Sequence, residues 1–484
     1  MKTNSIGVPQ VAPSNLTTRR RFVGNTLRLG TAAAFGLGLL SPFQVSAAPP
    51  AMQAVAKEWE IKRTGKQYPL VLIWLKGGAS QFDTFDPHPE APQGIRSEYK
   101  PIRTSEPGVV ITELFPKMSD MMHKVALFRN LGFADVANSQ DHNMATAKAL
   151  TGSHDLNKTI GANITFHPPI NDSPLVVWSN QIGKGGLGYT ILHYNGDPPR
   201  GGFPVFGGLQ PNKATVVVSN INGEYPSPLP QISNVSRARQ EARFALRENM
   251  EHALEHKVEG TKVRLWDEHY ARARALAGGK LNEAFDISKE PDKIREMYGK
   301  THLGNAALTA RRMVDAGAEF VCIDFGYWDH HGDSNGHLGE MKERKGYKVS
   351  YGFRGQEHFT PTGETRIGIA TELDLALSAI IQELGDRAVI VVASEFGRAP
   401  KIDYDQGLGP GRGHWPNQFF TIVAGPHIKP GVRGKSNEKG EIVGERYDAE
   451  KLGEAIFNLT GHARFARIGN VKTNERAPTL NLAG

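Results

Sequence analysis

The sequence predicts an α/β protein, a mostly parallel sheet covered by helices on both faces, with an inserted helical region. Three observations predict it. Continuous apolar runs such as residues 69–75 and 388–393 lack the alternation of a half-exposed strand, so they read as strands buried on both faces. Helix-forming stretches alternate with these runs, the pattern of a wound parallel sheet. Glycine (53) and proline (30) are abundant, which implies many loops on such a scaffold.

Along the chain, residues 48–68 are polar and read as a flexible arm. Residues 69–75 form the first buried strand, closed by the tight turn Lys76-Gly77-Gly78. A second, short strand is expected at 125–128. The Ala-rich stretch 141–150 favours helix and stops at Thr151-Gly152. Strands are also expected at 175–178 and 215–219. Residues 234–278 are dense in Arg, Glu, Ala and Leu and read as long amphipathic helices whose basic residues form a solvated, ion-paired face. The region 153–300 therefore stands out as an elaborated insertion. Beyond it the α/β pattern resumes, with helices at 305–316 (ended by Gly317), 365–384 (ended by Gly385) and 449–459. Strands are expected at 319–325, 388–393 and 419–424.

The chain begins with a targeting segment. Thr18-Arg19-Arg20-Arg21-Phe22-Val23 fits the twin-arginine consensus, a weakly apolar stretch runs from Leu29 to Leu40, and Val45-Ser46-Ala47 supplies a small-residue cleavage signal. The apolar stretch is too short for the roughly 20 residues that span a bilayer. Residues 1–47 are thus expected to be a signal peptide, removed on export through the twin-arginine route to the periplasm or the medium. No membrane span is expected in the mature form.

Composition excludes some classes of function. The net charge of +7 falls to +2 once the five basic residues of 1–47 are set aside, which gives no case for nucleic-acid binding. The single cysteine, Cys322, excludes an internal disulfide framework, and its apolar surroundings mark it as a packed thiol.

In open α/β sheets, ligands bind beyond the carboxyl ends of the strands. Here the expected strand ends carry a concentration of acids and imidazoles. Gly77-Gly78-Ala79-Ser80-Gln81-Phe82-Asp83 and Asp86 follow the first strand. Ser139-Gln140-Asp141-His142 follows the second. Trp328-Asp329-His330-His331-Gly332-Asp333 follows Phe325. Ser394-Glu395-Phe396-Gly397-Arg398 and Gly411-Arg412-Gly413-His414-Trp415 follow Ala393. Mixed imidazole and carboxylate ligands suit Zn, Mn or Fe, whereas Ca or Mg favour all-oxygen sites. Arg398 and Arg412 add planar donor forks, suited either to a tetrahedral anion or to a structural carboxylate.

These motifs resemble the family called domain of unknown function 1501, of the alkaline phosphatase and sulfatase superfamily. The match rests on Gly77 to Asp83 with Phe85-Asp86-Pro87, on Trp328-Asp329-His330-His331-Gly332, and on Glu395-Phe396-Gly397-Arg398-Ala399-Pro400 with Gly411-Arg412-Gly413-His414. It extends over roughly residues 69–460. The resemblance implies a three-layer, alkaline-phosphatase-like core spanning 69–484, one or two bound metals, and cleavage of phosphate or sulfate esters. It also implies a nucleophile at the start of the helix ending in Thr-Gly, where this chain has His142. The superfamily's late Asp-His pair is replaced by Glu395-Phe396, and its acid directly after the first strand by Lys76-Gly77-Gly78, with Asp83 further on. The implied metal ligands are Asp83, His142, Asp329, His331, Glu395 and His414. His331 is preferred to His330 because family members keep the histidine two residues after the acid. The implied catalytic residues are His142 and Arg398. Three roles stay open for the site. His142 attacks the ester, or it binds a metal that activates water, which is the favoured reading, or the site binds without turnover. The expected cofactor is a divalent metal, Zn or Mn before Ca or Mg. The expected partner is a small anionic ester or a sulfated or phosphorylated glycan. The alternative is an inactive sulfatase-like protein that holds a metal and binds an acidic glycan or a partner protein.

Overall fold

The computed structural model describes residues 66–151, 190–193, 216–219, scattered positions between 238 and 249, and 283–326, 328–331, 368–404 and 410–461. The segment expected to be a signal peptide (residues 1–47) and the strand expected at 175–178 lie outside the described residues. Of the stretch 234–278, the few described positions are helical.

The strands, in chain order, are β1 (Leu70–Leu75), β2 (Pro101–Arg103), β3 (Val110–Thr112), β4 (Ala126–Gly132), β5 (Thr190–His193), β6 (Val216–Ser219), β7 (Phe320–Phe325) and β8 (Val389–Ala393). They continue with β9 (Gly397–Arg398), β10 (His414–Trp415), β11 (Phe419–Ala424), β12 (Gly431–Arg433), β13 (Lys435–Ser436), β14 (Ile442–Val443) and β15 (Tyr447–Asp448). The α-helices that matter to the site are α1 (Pro116–Met121), α2 (His142–Thr151), α3 (Asp292–Met297), α4 (His302–Asp315), α5 (Ile369–Leu384) and α6 (Leu452–Leu459).

Among the described residues, nine strands form the central sheet in the order β12-β4-β11-β8-β1-β7-β5-β6, with β15 also paired to β4. Every pairing in it is parallel except the two made by β11, which runs antiparallel to β4 and β8. The exception has a simple cause. The chain leaves the carboxyl end of β8, makes the small β9–β10 ladder, and re-enters the sheet from the same rim, so it must run back. The 153–300 region is not purely helical, since it supplies β5 and β6 to the sheet.

Buried strands alternate between two cores. Val71, Ile73 and Leu75 of β1 enter one core, together with residues of α1, α4 and α5. Leu70, Leu72 and Trp74 enter the other, with residues of α2 and α6. This is a three-layer α/β arrangement, and it explains why β1 reads as an unbroken apolar run. Cys322 is fully buried in β7, and burial pushes its thiol well above the ordinary value. Thr301, outside the expected 305–316 helix, caps α4 by accepting a hydrogen bond from the Gly304 amide. Among the described residues, no helix is long and apolar enough to cross a membrane.

Register places the site. Leu75 of β1 lies opposite Phe325 of β7, and Trp74 lies opposite Ala393 of β8. Three carboxyl ends are therefore level, and the turns that follow them are neighbours on one rim.

Candidate metal centre

The rim is assembled around a turn that needs glycine. Gly77 (φ +118°) has a left-handed backbone, and a Cβ there would lie 2.4 Å from the Asp329 amide nitrogen. Gly78 (φ +85°) is equally close to the Phe396 ring. Only residues without a side chain let the β1 turn approach the loops after β7 and β8 this closely. The Trp328 amide donates to the Lys76 carbonyl, and the Gly77 amide donates to Glu395 Oε1 at 2.6 Å.

Asp329 is the hub. Its Oδ1 accepts from Arg398 Nη2 at 2.6 Å and lies 3.1 Å from His331 Nε2 and 3.3 Å from His414 Nε2. Its Oδ2 lies 3.4 Å from His142 Nε2. Nε2 of His331 and Nε2 of His414 are 2.9 Å apart. One ligand atom from each of His142, Asp329 and His414 falls within 4.8 Å of the others, spacing that could hold a metal ion. The four side chains are 20–31% exposed, so the cluster can be reached from solvent.

The imidazoles are oriented from behind. His142 Nδ1 is 2.9 Å from Glu395 Oε1, and His414 Nδ1 is 2.6 Å from the Gln140 carbonyl oxygen. Both partners are acceptors, so both Nδ1 atoms carry a proton and both Nε2 atoms face the hub. Phe396 packs against both rings, at centroid distances of 5.0 Å to His142 and 4.6 Å to His414.

Electrostatics follow from this packing. Burial opposes ionisation of Asp329, but hydrogen bonds from His142, His331 and His414 and the charge of Arg398 hold its carboxyl far below the ordinary range. Burial likewise opposes protonation of His142, yet the Asp329 and Glu395 carboxylates outweigh it and raise the imidazole to about 9.

Of the residues expected at the site, His142, Asp329, His331 and His414 come together at its centre. Glu395, fully buried, lies on the Nδ1 side of His142. Asp83 is engaged elsewhere. Its carboxylate accepts from Arg412 Nε at 2.8 Å, from Ser80 Oγ at 2.6 Å and from Ser97 Oγ at 3.0 Å. Arg398 is buried, and its donors go to the carbonyls of Gly77, Gly78, Trp328 and Arg412 and to Asp329. It ties the strand-end turns together and positions Asp329. Arg412 likewise spends its donors on Asp83 and on the carbonyls of Ile95, Arg96, Ala399 and Pro400. His330 is buried, with its ring 6.1 Å from that of Trp328. The Gln140 carbonyl is a functional group that sequence reading misses. It is a backbone atom, and its role carries no residue-type signal.

Among the described residues, the donor set suits a transition metal. Three imidazole nitrogens face one carboxylate, a mixed nitrogen and oxygen set that could hold a metal ion.

No curated protein matches this sequence. Among solved structures, the chain is similar to a protein in the alkaline phosphatase superfamily from Vibrio parahaemolyticus, at 10% identity over 87% of this chain and 73% of that one, with a TM-score of 0.36. It is also similar to the C-terminal periplasmic domain of EcEptC from Escherichia coli in complex with Zn (12% identity, 90% of each chain, TM-score 0.35). A third similar structure is the PsFucS1 sulfatase from Pseudoalteromonas sp. (11% identity, 90% of this chain and 74% of that one, TM-score 0.34). The sequence profile of DUF1501, described as a protein of unknown function, matches residues 68–346 and 358–464. With most of its length matched in this way, the chain belongs to the DUF1501 family.

Proposed function

We propose that the mature protein is an exported, metal-dependent hydrolase of phosphate or sulfate esters. One observation carries the reading: Nε2 atoms of His142, His331 and His414 converge on the Asp329 carboxylate at a solvent-reached rim of the sheet. His142, Asp329, His331 and His414 would hold the cation, Zn or Mn before Ca or Mg. When bound, such a cation supplies Lewis acidity toward an ester oxygen and lowers the pKa of water.

The chain's own residues prepare the site. Arg398 fixes Asp329 through Oδ1. The Gln140 carbonyl and Glu395 hold the Nδ1 protons of His414 and His142. Among the described residues, no serine, threonine or cysteine side chain hydrogen-bonds to the side chain of His142, Asp329, His331 or His414, which supports water over a side-chain hydroxyl as the attacking group. Export rests on the twin-arginine segment at residues 18–23 and the small-residue site ending at Ala47. The substrate class is a small anionic ester or a sulfated or phosphorylated glycan.

A second reading has its own support. With Arg398 and Arg412 committed to the protein, neither presents a fork to an anion, which favours a protein that holds metal and binds without turnover. The test is elemental analysis of the exported protein together with hydrolysis of 4-nitrophenyl phosphate and 4-nitrophenyl sulfate. Bound metal with turnover that disappears in Asp329→Ala supports the hydrolase. Bound metal without turnover across an ester panel supports the binding protein. A wild-type protein that takes up no divalent metal overturns both.

A further inference from the structure

Most buried ionisable groups away from the cluster have a partner that accounts for them. Asp83 has Arg412, Asp86 has Arg129, Lys148 has Asp135, and Asp374 accepts from the amides of Lys117 and Met118. Glu395 is different. It is fully buried, and among the described residues its ion-pair partner is an imidazole, His142, with Arg398 acting on it only at longer range. Its partners are the Gly77 amide at 2.6 Å, His142 Nδ1 at 2.9 Å and, more weakly, Ser394 Oγ at 3.4 Å. A carboxylate sealed from water is costly unless its charge is used.

The geometry points to Glu395 as the positioning residue of His142, acting behind the imidazole and making no bond to the cation. The inference rests on the metal-centre reading above and assigns one of its residues a role. A carboxylate oxygen only accepts, so His142 Nδ1 must donate. That leaves Nε2 as the atom turned to Asp329 Oδ2. The same Oε1 is pinned by the Gly77 amide, and Gly77 is packed against the Asp329 amide. Glu395 therefore joins β8, the turn after β1 and the first residue of α2. To ligate a cation at the hub, Oε1 would have to give up both of these hydrogen bonds. His414 has a neutral counterpart, the Gln140 carbonyl, at the equivalent ring nitrogen. Of these two imidazoles, only His142 is backed by a carboxylate, which raises its basicity as a ligand.

The experiment loads the exported protein and its Glu395→Gln, Glu395→Ala and Asp329→Ala variants with Zn(II) and Co(II). Affinity is read by competition with a chromogenic chelator. Ligand number is read from the Co(II) ligand-field spectrum, and folding from circular dichroism. Losing a carboxylate behind a metal-bound imidazole weakens affinity about 10–100-fold. Glu395→Ala is expected to show that loss with an unchanged Co(II) band. Glu395→Gln, whose amide oxygen still accepts from Gly77 and His142, is expected to recover most of the affinity. A Co(II) spectrum showing one ligand fewer in Glu395→Gln, or unchanged affinity in Glu395→Ala, overturns the inference while the metal centre stands. Failure of the wild type to bind either metal overturns the metal centre itself, and the inference with it.

Discussion

Replacing Asp83 by alanine removes the counter-charge of a buried guanidinium whose ion-pair partner among the described residues is that carboxylate. Arg412 is 1% exposed, sits 4.8 Å from the Phe82 ring, and its other hydrogen bonds among the described residues go to backbone carbonyls. Breaking a buried pair by deleting one member costs about 3–5 kcal/mol, because the remaining charge stays desolvated. Ser80 and Ser97 each lose an acceptor as well, at about 1 kcal/mol apiece. Against a typical total stability of about 5–15 kcal/mol, this is a large fraction. Urea denaturation followed by tryptophan fluorescence should show Asp83→Ala destabilised by at least 3 kcal/mol on the order of these estimates. The metal content of the folded variant should match the wild type. The double variant Asp83→Ala, Arg412→Met should regain much of the loss, since the orphaned charge is gone. A cost below about 1 kcal/mol accompanied by loss of metal would refute the argument and place Asp83 among the ligands.

Other outcomes follow from the same geometry. In the metal-free protein His142 keeps a second proton up to about pH 9, and a cation must displace it, so affinity should rise up to about tenfold per pH unit from pH 7 and level off above 9. Calorimetry in buffers of different ionisation enthalpy should detect the released proton, and a flat affinity between pH 7 and 8.5 would count against the assignment. Burial pushes Asp374 up to about 6, above its unfolded value, despite amide hydrogen bonds from Met118 and Lys117. The folded state therefore binds more protons between pH 4 and 6, and stability from this group falls as pH rises through that window, by about 3 kcal/mol. Urea titrations at pH 4 and 6.5 should show this fall shrinking in Asp374→Asn. Gly77→Ala should weaken metal binding as well as stability, because its Cβ would meet the Asp329 amide at 2.4 Å. Gly94→Ala, at φ +88° with open space around it, should cost only about 1–2 kcal/mol of backbone strain and leave metal affinity unchanged.

What the sequence determined by itself was local. The apolar runs of β1, β7, β8 and β11 announced buried strands, because a strand covered on both faces has no polar alternation to break the run. The acids and imidazoles after those runs announced where chemistry would gather, because loops at carboxyl ends share one rim in a parallel sheet. Thr190–His193 gave no such signal, being four residues long, and it joins the sheet only through its pairing with β6 and β7. The reversed direction of β11 was equally invisible, since a strand's own residues do not record which way its neighbours run.

The tertiary structure decided which of the gathered residues face one another. His142 meets Glu395 across 253 positions of chain, and Asp83 meets Arg412 across 329. Residue type alone could not separate Asp83, neutralising a buried arginine, from Asp329, exposed to three imidazoles. Nor could it show that both arginines are saturated, or that a backbone carbonyl orients His414. Those distinctions depend on strand register and on glycine turns close enough to bring distant loops into hydrogen-bond range. Hydrogen bonds lose their strength within an ångström or so of misplacement, whereas hydrophobic patterning tolerates far more, so the fold was legible in the chain and the division of roles within the site was not.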